Sequence, residues 1–126
     1  MDVQLFIDRL LESENLTDNL DDEAANTLIK WGIRQVDPLI KDKDDETAGT
    51  QVNHLMALMR SINSLAGKPS RVNSASLVKF VNRFNQTFDK DHQIDEEERR
   101  KMAQQISAMQ SKGAVDYLLQ WMDSKR

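Results

Sequence analysis

The residues whose types and spacing carry the most chemistry lie in the string FDKDHQIDEEER, Phe88 to Arg99. Asp89, Asp91 and Glu98 set hard oxygen donors along a short polar stretch, the donor type that Ca²⁺ and Mg²⁺ prefer. They are the candidate metal ligands. Catalytic candidates are fewer. The chain has two histidines, His54 and His92, and nothing in the sequence pairs them. His54 falls between the apolar residues Val52 and Leu55, at the edge of a helix stripe. No GxSxG elbow, HExxH helix or glycine-rich phosphate loop occurs. Gly67-Lys68 lacks the upstream glycine and the following Ser or Thr of a P-loop. With no cysteine, thiol catalysis, disulfides, zinc–thiolate sites and iron–sulfur clusters are excluded. Carboxylate pairs arise without function among 21 acidic residues. Neither an enzymatic activity nor a cofactor is expected.

The Phe88–Arg99 string resembles the calcium loop of EF-hand proteins, a helix–loop–helix with an aromatic residue just before the loop. The resemblance assigns Asp89 and Asp91 to the first and third ligand positions, Ile94 to the core-facing apolar position and Glu98 to the closing glutamate. It spans about a dozen residues. From Asp89 to Glu98 the loop is two residues shorter than the family's pattern, and His92 and Gln93 stand where its turn glycine would fall. What the resemblance implies is a divalent-cation-binding protein with a degenerate loop over 89–98. Read without it, Phe88 ends one helix and Asp95 caps the next.

Two further clusters point to binding. Residues 1–63 contain 13 acidic and 6 basic side chains, whereas residues 64–126 contain 8 and 11. The rear half supplies Lys68, Arg71, Lys79, Arg83 and Lys90, then Arg99, Arg100 and Lys101. Lys79 and Arg83 are four apart and share a helix face. Such a patch could meet the phosphates that dominate nucleic-acid affinity. Against it stand the acidic pI of about 5.1 and the carboxylates Asp95 to Glu98 beside the patch. Nucleic acid is therefore the lesser expectation. The other cluster is Tyr117, Trp121 and Met122 near the C-terminus. Tyr117 and Trp121 broaden an apolar stripe past the roughly 100° that a surface helix buries, and such rings are common at interface hot spots. They are the candidate partner interface, for another protein or a second copy in a homodimer.

The elements that must position these residues are helices. Four glycines and two prolines in 126 residues are too few for a sheet joined by tight turns. Apolar residues recur at three- and four-residue spacing throughout. The first helix spans about Asp2 to Ser13, with Val3, Phe6, Ile7, Leu10 and Leu11 on one stripe. A polar connector, Glu14 to Asp21, follows. The second runs to about Gln35 on Ala24, Ala25, Leu28, Ile29, Trp31 and Val36, and Pro38 ends or kinks it. The third spans Asp45 to Ala66, with Gly67 as a left-handed cap. The fourth, capped by Asn73 or Ser74, carries Leu77, Val78, Val81, Phe84 and Phe88. The fifth opens with a capping box of Asp95 and Glu98 and ends at Gly113. The last covers Ala114 to about Asp123. Ala24…Trp31 and Ala114…Trp121 share a spacing that two buried helices produce by chance.

These features predict an all-α, single helical domain over 1–126, a bundle of about six amphipathic helices. No apolar run approaches the ~20 residues of a membrane span, so no membrane contact is expected and the cytoplasm is the default location. The leading functional expectation is a non-enzymatic protein-interaction or regulatory module. Cation binding at 89–98 and nucleic-acid binding through the basic patch follow it.

Overall fold

A computed structural model describes residues 2–126. Five of its six α-helices begin on an Asp or Asn whose side chain accepts a first-turn amide: Asp2, Asp21, Asp44, Asn73 and Asp95. Each cap satisfies a donor that the helix itself leaves unpaired. At Asp44 the Thr47 amide and then its hydroxyl hold the carboxyl below its ordinary 3.8. The helices are α1 (Val3–Glu12), α2 (Asp22–Ile40), α3 (Asp45–Gly67), α4 (Ser74–Phe88), α5 (Glu96–Ser107) and α6 (Ser111–Lys125), with a 3-10 turn at Pro69–Arg71. The protein is all-α, a single small bundle, as the periodicity predicts. No described helix is long and apolar enough to cross a membrane.

The bundle is organised about α3, which packs against α1, α2, α4 and α6. Its buried residues include Val52, Leu55, Met56, Leu58, Met59, Ile62 and Leu65, which cover about half of its circumference. A helix apolar over so wide an arc belongs at the centre. α4 and α6 close the bundle through an aromatic cluster. The Trp121 ring lies 5.6 Å from Phe80 and 5.5 Å from Phe84, and Trp31 of α2 meets Phe88 edge-on at 6.3 Å.

Several boundaries differ from the sequence reading for identifiable reasons. α2 continues through Pro38 to Ile40. Proline gives up one hydrogen bond to the Arg34 carbonyl, but both residues are exposed, so water can replace it. Burial of Ile40 and a 3.0 Å bond from the Lys41 amide to the Asp37 carbonyl hold the last turn. Gly67 is helical and not left-handed. It is there for closeness: a Cβ on Gly67 would stand 2.4 Å from the Asn19 Cβ and 2.9 Å from the Asn19 carbonyl oxygen. Gly113 does not end α5 either. It lies in the first turn of α6, after a tight connection in which the Met109 amide bonds the Ile106 carbonyl at 2.9 Å. On α4 the inward residues are Leu77, Phe80, Val81, Phe84 and Thr87, whereas Val78 faces out.

The Glu14–Asp21 connector is not merely polar, since Leu16 is buried in the core. Its backbone is tied to α3 by Asn63. The Asn63 Oδ1 accepts from the Asn19 amide at 3.0 Å, and its Nδ2 donates to Asp18 Oδ1 at 2.7 Å and to the Asn15 carbonyl at 3.3 Å. A buried amide with all these partners is satisfied and fixes the connector's path.

Candidate functional site

The three candidate metal ligands do not converge. Asp89 is the exposed, left-handed C-cap of α4, with φ 54°. Asp91 is exposed in the connector. The Glu98 carboxylate turns toward α6, where it accepts from Trp121 Nε1 at 3.3 Å and sits 3.9 Å from Lys125 Nζ. Among the described residues no group of three or more His, Asp or Glu side chains is placed to hold a metal ion. The structure does not bring these three side chains together, and the reason is visible in the connector. Asn85 clamps His92 from both sides, its Nδ2 donating to the His92 carbonyl at 2.8 Å and its Oδ1 accepting the His92 amide at 3.1 Å. The imidazole stacks on Phe84 and donates from Nε2 to the Lys125 carbonyl at 2.7 Å. Neutral hydrogen bonds and a ring stack shape this loop, which is too short to wrap an ion as well.

The candidate interface is also redistributed. Met122 is fully buried and Trp121 is 9% exposed, so these two belong to the core and present no docking face. Trp121 spends its area on Phe80 and Phe84 because α6 is the helix that seals the bundle against α2 and α3. Tyr117 stays half-buried. Burial, and then the Glu98 charge, raise its phenol above the ordinary 10.0. Tyr117 and the edge of Trp121 line a shallow groove of about 450 Å³ with Asp95, Glu97, Glu98 and Met102.

A different place gathers charge of one sign. Between α3 and α4, closed at one end by the 3-10 turn, runs a groove of about 480 Å³. Its lining holds Arg60 from α3, Lys68 and Arg71 from the corner, and Lys79 and Arg83 from α4. No carboxylate lines it; the remaining wall is made of serine hydroxyls and the aliphatic Ala57, Leu65 and Val72. The ion pairs among the described residues, Lys112–Asp116, Lys125–Glu98 and Arg126–Asp123, all lie elsewhere. Arg60 bonds only neutral oxygens, Ser13 Oγ at 2.7 Å and the Glu14 carbonyl at 3.3 Å, and Arg83 reaches Gln86 Oε1 at 3.5 Å. These contacts aim the guanidinium groups without neutralising them.

Four of these cations belong to the patch expected from the sequence. Lys90, Arg99, Arg100 and Lys101 do not join the groove, and Arg99 instead donates to the Ile94 carbonyl at 2.6 Å. Arg60 escaped notice because it lies in the acidic front half. A sharper signal was present. From Thr47 to Phe88 the chain contains no Asp or Glu, and its Lys and Arg residues are the same five that line the groove. No protein-family model, curated protein or solved structure matches this chain.

Proposed function

We propose that the protein is a non-enzymatic binding module whose α3–α4 groove takes the phosphates of a polyanionic ligand. The observation that carries this reading is the set of five cations lining one groove with no carboxylate among them and none paired to them. In a chain with 21 acidic residues against 17 basic ones, mixed surface pairing would be the ordinary outcome. Instead the acidic residues stop at Glu46 and resume at Asp89. Like charges held together repel, so their grouping destabilises the free protein and is relieved when an anion binds. Cations and serine hydroxyls bind phosphate oxygens well and include no base–nucleophile pair. A cytoplasmic location, where phosphorylated ligands abound, goes with this reading.

The test is a titration with inorganic polyphosphate followed by calorimetry at low and at moderate salt. Binding at low salt that weakens as salt rises, and that falls at least tenfold in Lys79→Gln/Arg83→Gln, is the expected result. No binding by the parent chain, or equal binding by the variant, overturns the reading.

The α5–α6 groove favours a second reading, the protein-interaction module. Its carboxylates Asp95, Glu97 and Glu98 beside the Tyr117 ring suit a basic peptide segment of a partner. Loss of such a partner in Tyr117→Ala with unchanged helicity would support it.

A further inference from the structure

We infer that the ligand of the cationic groove is double-stranded DNA, with the outer face of α4 lying in the major groove; this rests on the polyanion reading above and names its ligand. The face that α4 turns to solvent carries Ala75, Val78, Lys79, Asn82 and Gln86, with Arg83 beside them. Lys and Arg pair with guanine, Asn and Gln with adenine, and small aliphatic groups contact the thymine methyl. Val78 is 38% exposed and Asn82 is exposed, so the face offers both an aliphatic contact and a base-reading amide. From Ala75 to Gln86 no acidic residue interrupts the face. At 1.5 Å per residue that stretch is roughly 17 Å long, enough to cross about four or five base pairs.

On its α3 side the surroundings of α4 suit a duplex. The helix stands as a ridge between the cationic groove on its α3 side and a depression of about 260 Å³ on the other, lined by Asn82, Gln93, Ile94 and Arg99. A helix in the major groove has one sugar–phosphate strand on each flank. Arg60, Lys68 and Arg71 then meet the strand on the α3 side, fixing register without reading sequence. Other nucleic acids fit less well. No aromatic side chain lines the cationic groove or the face of α4, so unstacked bases of a single strand have no platform. The A-form major groove of duplex RNA is too deep and narrow for side chains to read.

The test selects from a pool of randomised DNA duplexes with the full chain, then compares the enriched duplex, its single strand, an RNA duplex of that sequence and inorganic polyphosphate by anisotropy. The expected result is an enriched core of about four or five base pairs, bound most tightly as duplex DNA. With the three phosphate contacts of Arg60, Lys68 and Arg71 the affinity should fall roughly fortyfold from about 50 to about 200 mM salt. Asn82→Ala/Gln86→Ala should lose roughly tenfold or more on the enriched duplex and nothing on polyphosphate, because it removes base contacts only. Lys68→Gln/Arg71→Gln should weaken both ligands and make the salt dependence shallower. Circular dichroism confirms that each variant is folded. Polyphosphate binding without sequence enrichment, without preference for duplex DNA, or with Asn82→Ala/Gln86→Ala unchanged on the enriched duplex, overturns the DNA inference and leaves the groove. Failure of both DNA and polyphosphate to bind overturns the groove reading as well.

Discussion

Gly67→Ala should destabilise this protein, although the same change inside a helix ordinarily stabilises. Because Gly67 is helical, alanine meets no backbone strain there, and propensity alone favours it by up to about 1 kcal/mol. Against that, the added Cβ would lie 2.4 Å from the Asn19 Cβ and 2.9 Å from its carbonyl oxygen. Ordinary carbon contacts are about 3.5–4.0 Å, so Asn19 must retreat by roughly an ångström. It is not free to do so, because its amide is bonded to Asn63, which also holds Asp18 and Asn15. Overpacking costs about 1–3 kcal/mol, and each weakened hydrogen bond up to about 1 kcal/mol more. The net loss should be about 1.5–3 kcal/mol. Gly49→Ala, also in α3, is the control: the nearest atom to its new Cβ is the far end of the Arg9 side chain, at an ordinary contact distance of 3.4 Å. That change should stabilise by about 0.5–1 kcal/mol. Urea unfolding followed by far-UV circular dichroism reads both as opposite shifts of the midpoint at constant slope. If Gly67→Ala matched Gly49→Ala, the connector would not be pinned against the end of α3 and the reasoning would fail.

Trp121→Ala removes a ring packed on Phe80 and Phe84 and should cost about 3–5 kcal/mol, seen as cooperative loss of helicity at lower denaturant; retained stability would return Trp121 to the surface. Glu98→Gln should bring the Tyr117 phenol partway back toward 10.0, because burial, the larger cause of its raised pKa, remains. The folded value lies above the unfolded one, so this tyrosine's contribution to stability is full below about pH 10 and is lost as pH rises through the folded value. A spectrophotometric tyrosinate titration unchanged by the substitution would remove Glu98 from the phenol's surroundings.

Local chemistry made much of the bundle legible. Asp2, Asn73 and Asp95 announce helix starts because a cap depends on only three or four consecutive residues. The stripe of α3 is long enough to fix its phase. Shorter stripes leave their edges open, which is why Val78 stands in for Phe80 on α4. Glycine signals failed where closeness to another segment mattered, as at Gly67 against Asn19, since the partner lies far off in sequence. The site was half legible. Four groove cations could be read from the rear half, yet Arg60 joins them only because α4 packs back along α3 and brings Lys79 and Arg83 to the same groove. Trp121 shows the converse limit: an aromatic at the edge of a stripe looks the same whether solvent or Phe84 lies opposite.

The partnership of α2 with α6 also shapes the life of the newborn chain. About seventy residues separate the end of α2 at Ile40 from the start of α6 at Ser111. At translation rates of about 5–20 residues per second, α2 waits roughly 4–14 s for the helix that covers it. α3 arrives earlier and shields one side. The side reserved for α6 stays open in the meantime, a sticky interval in which a ribosome-associated chaperone would have its best opportunity.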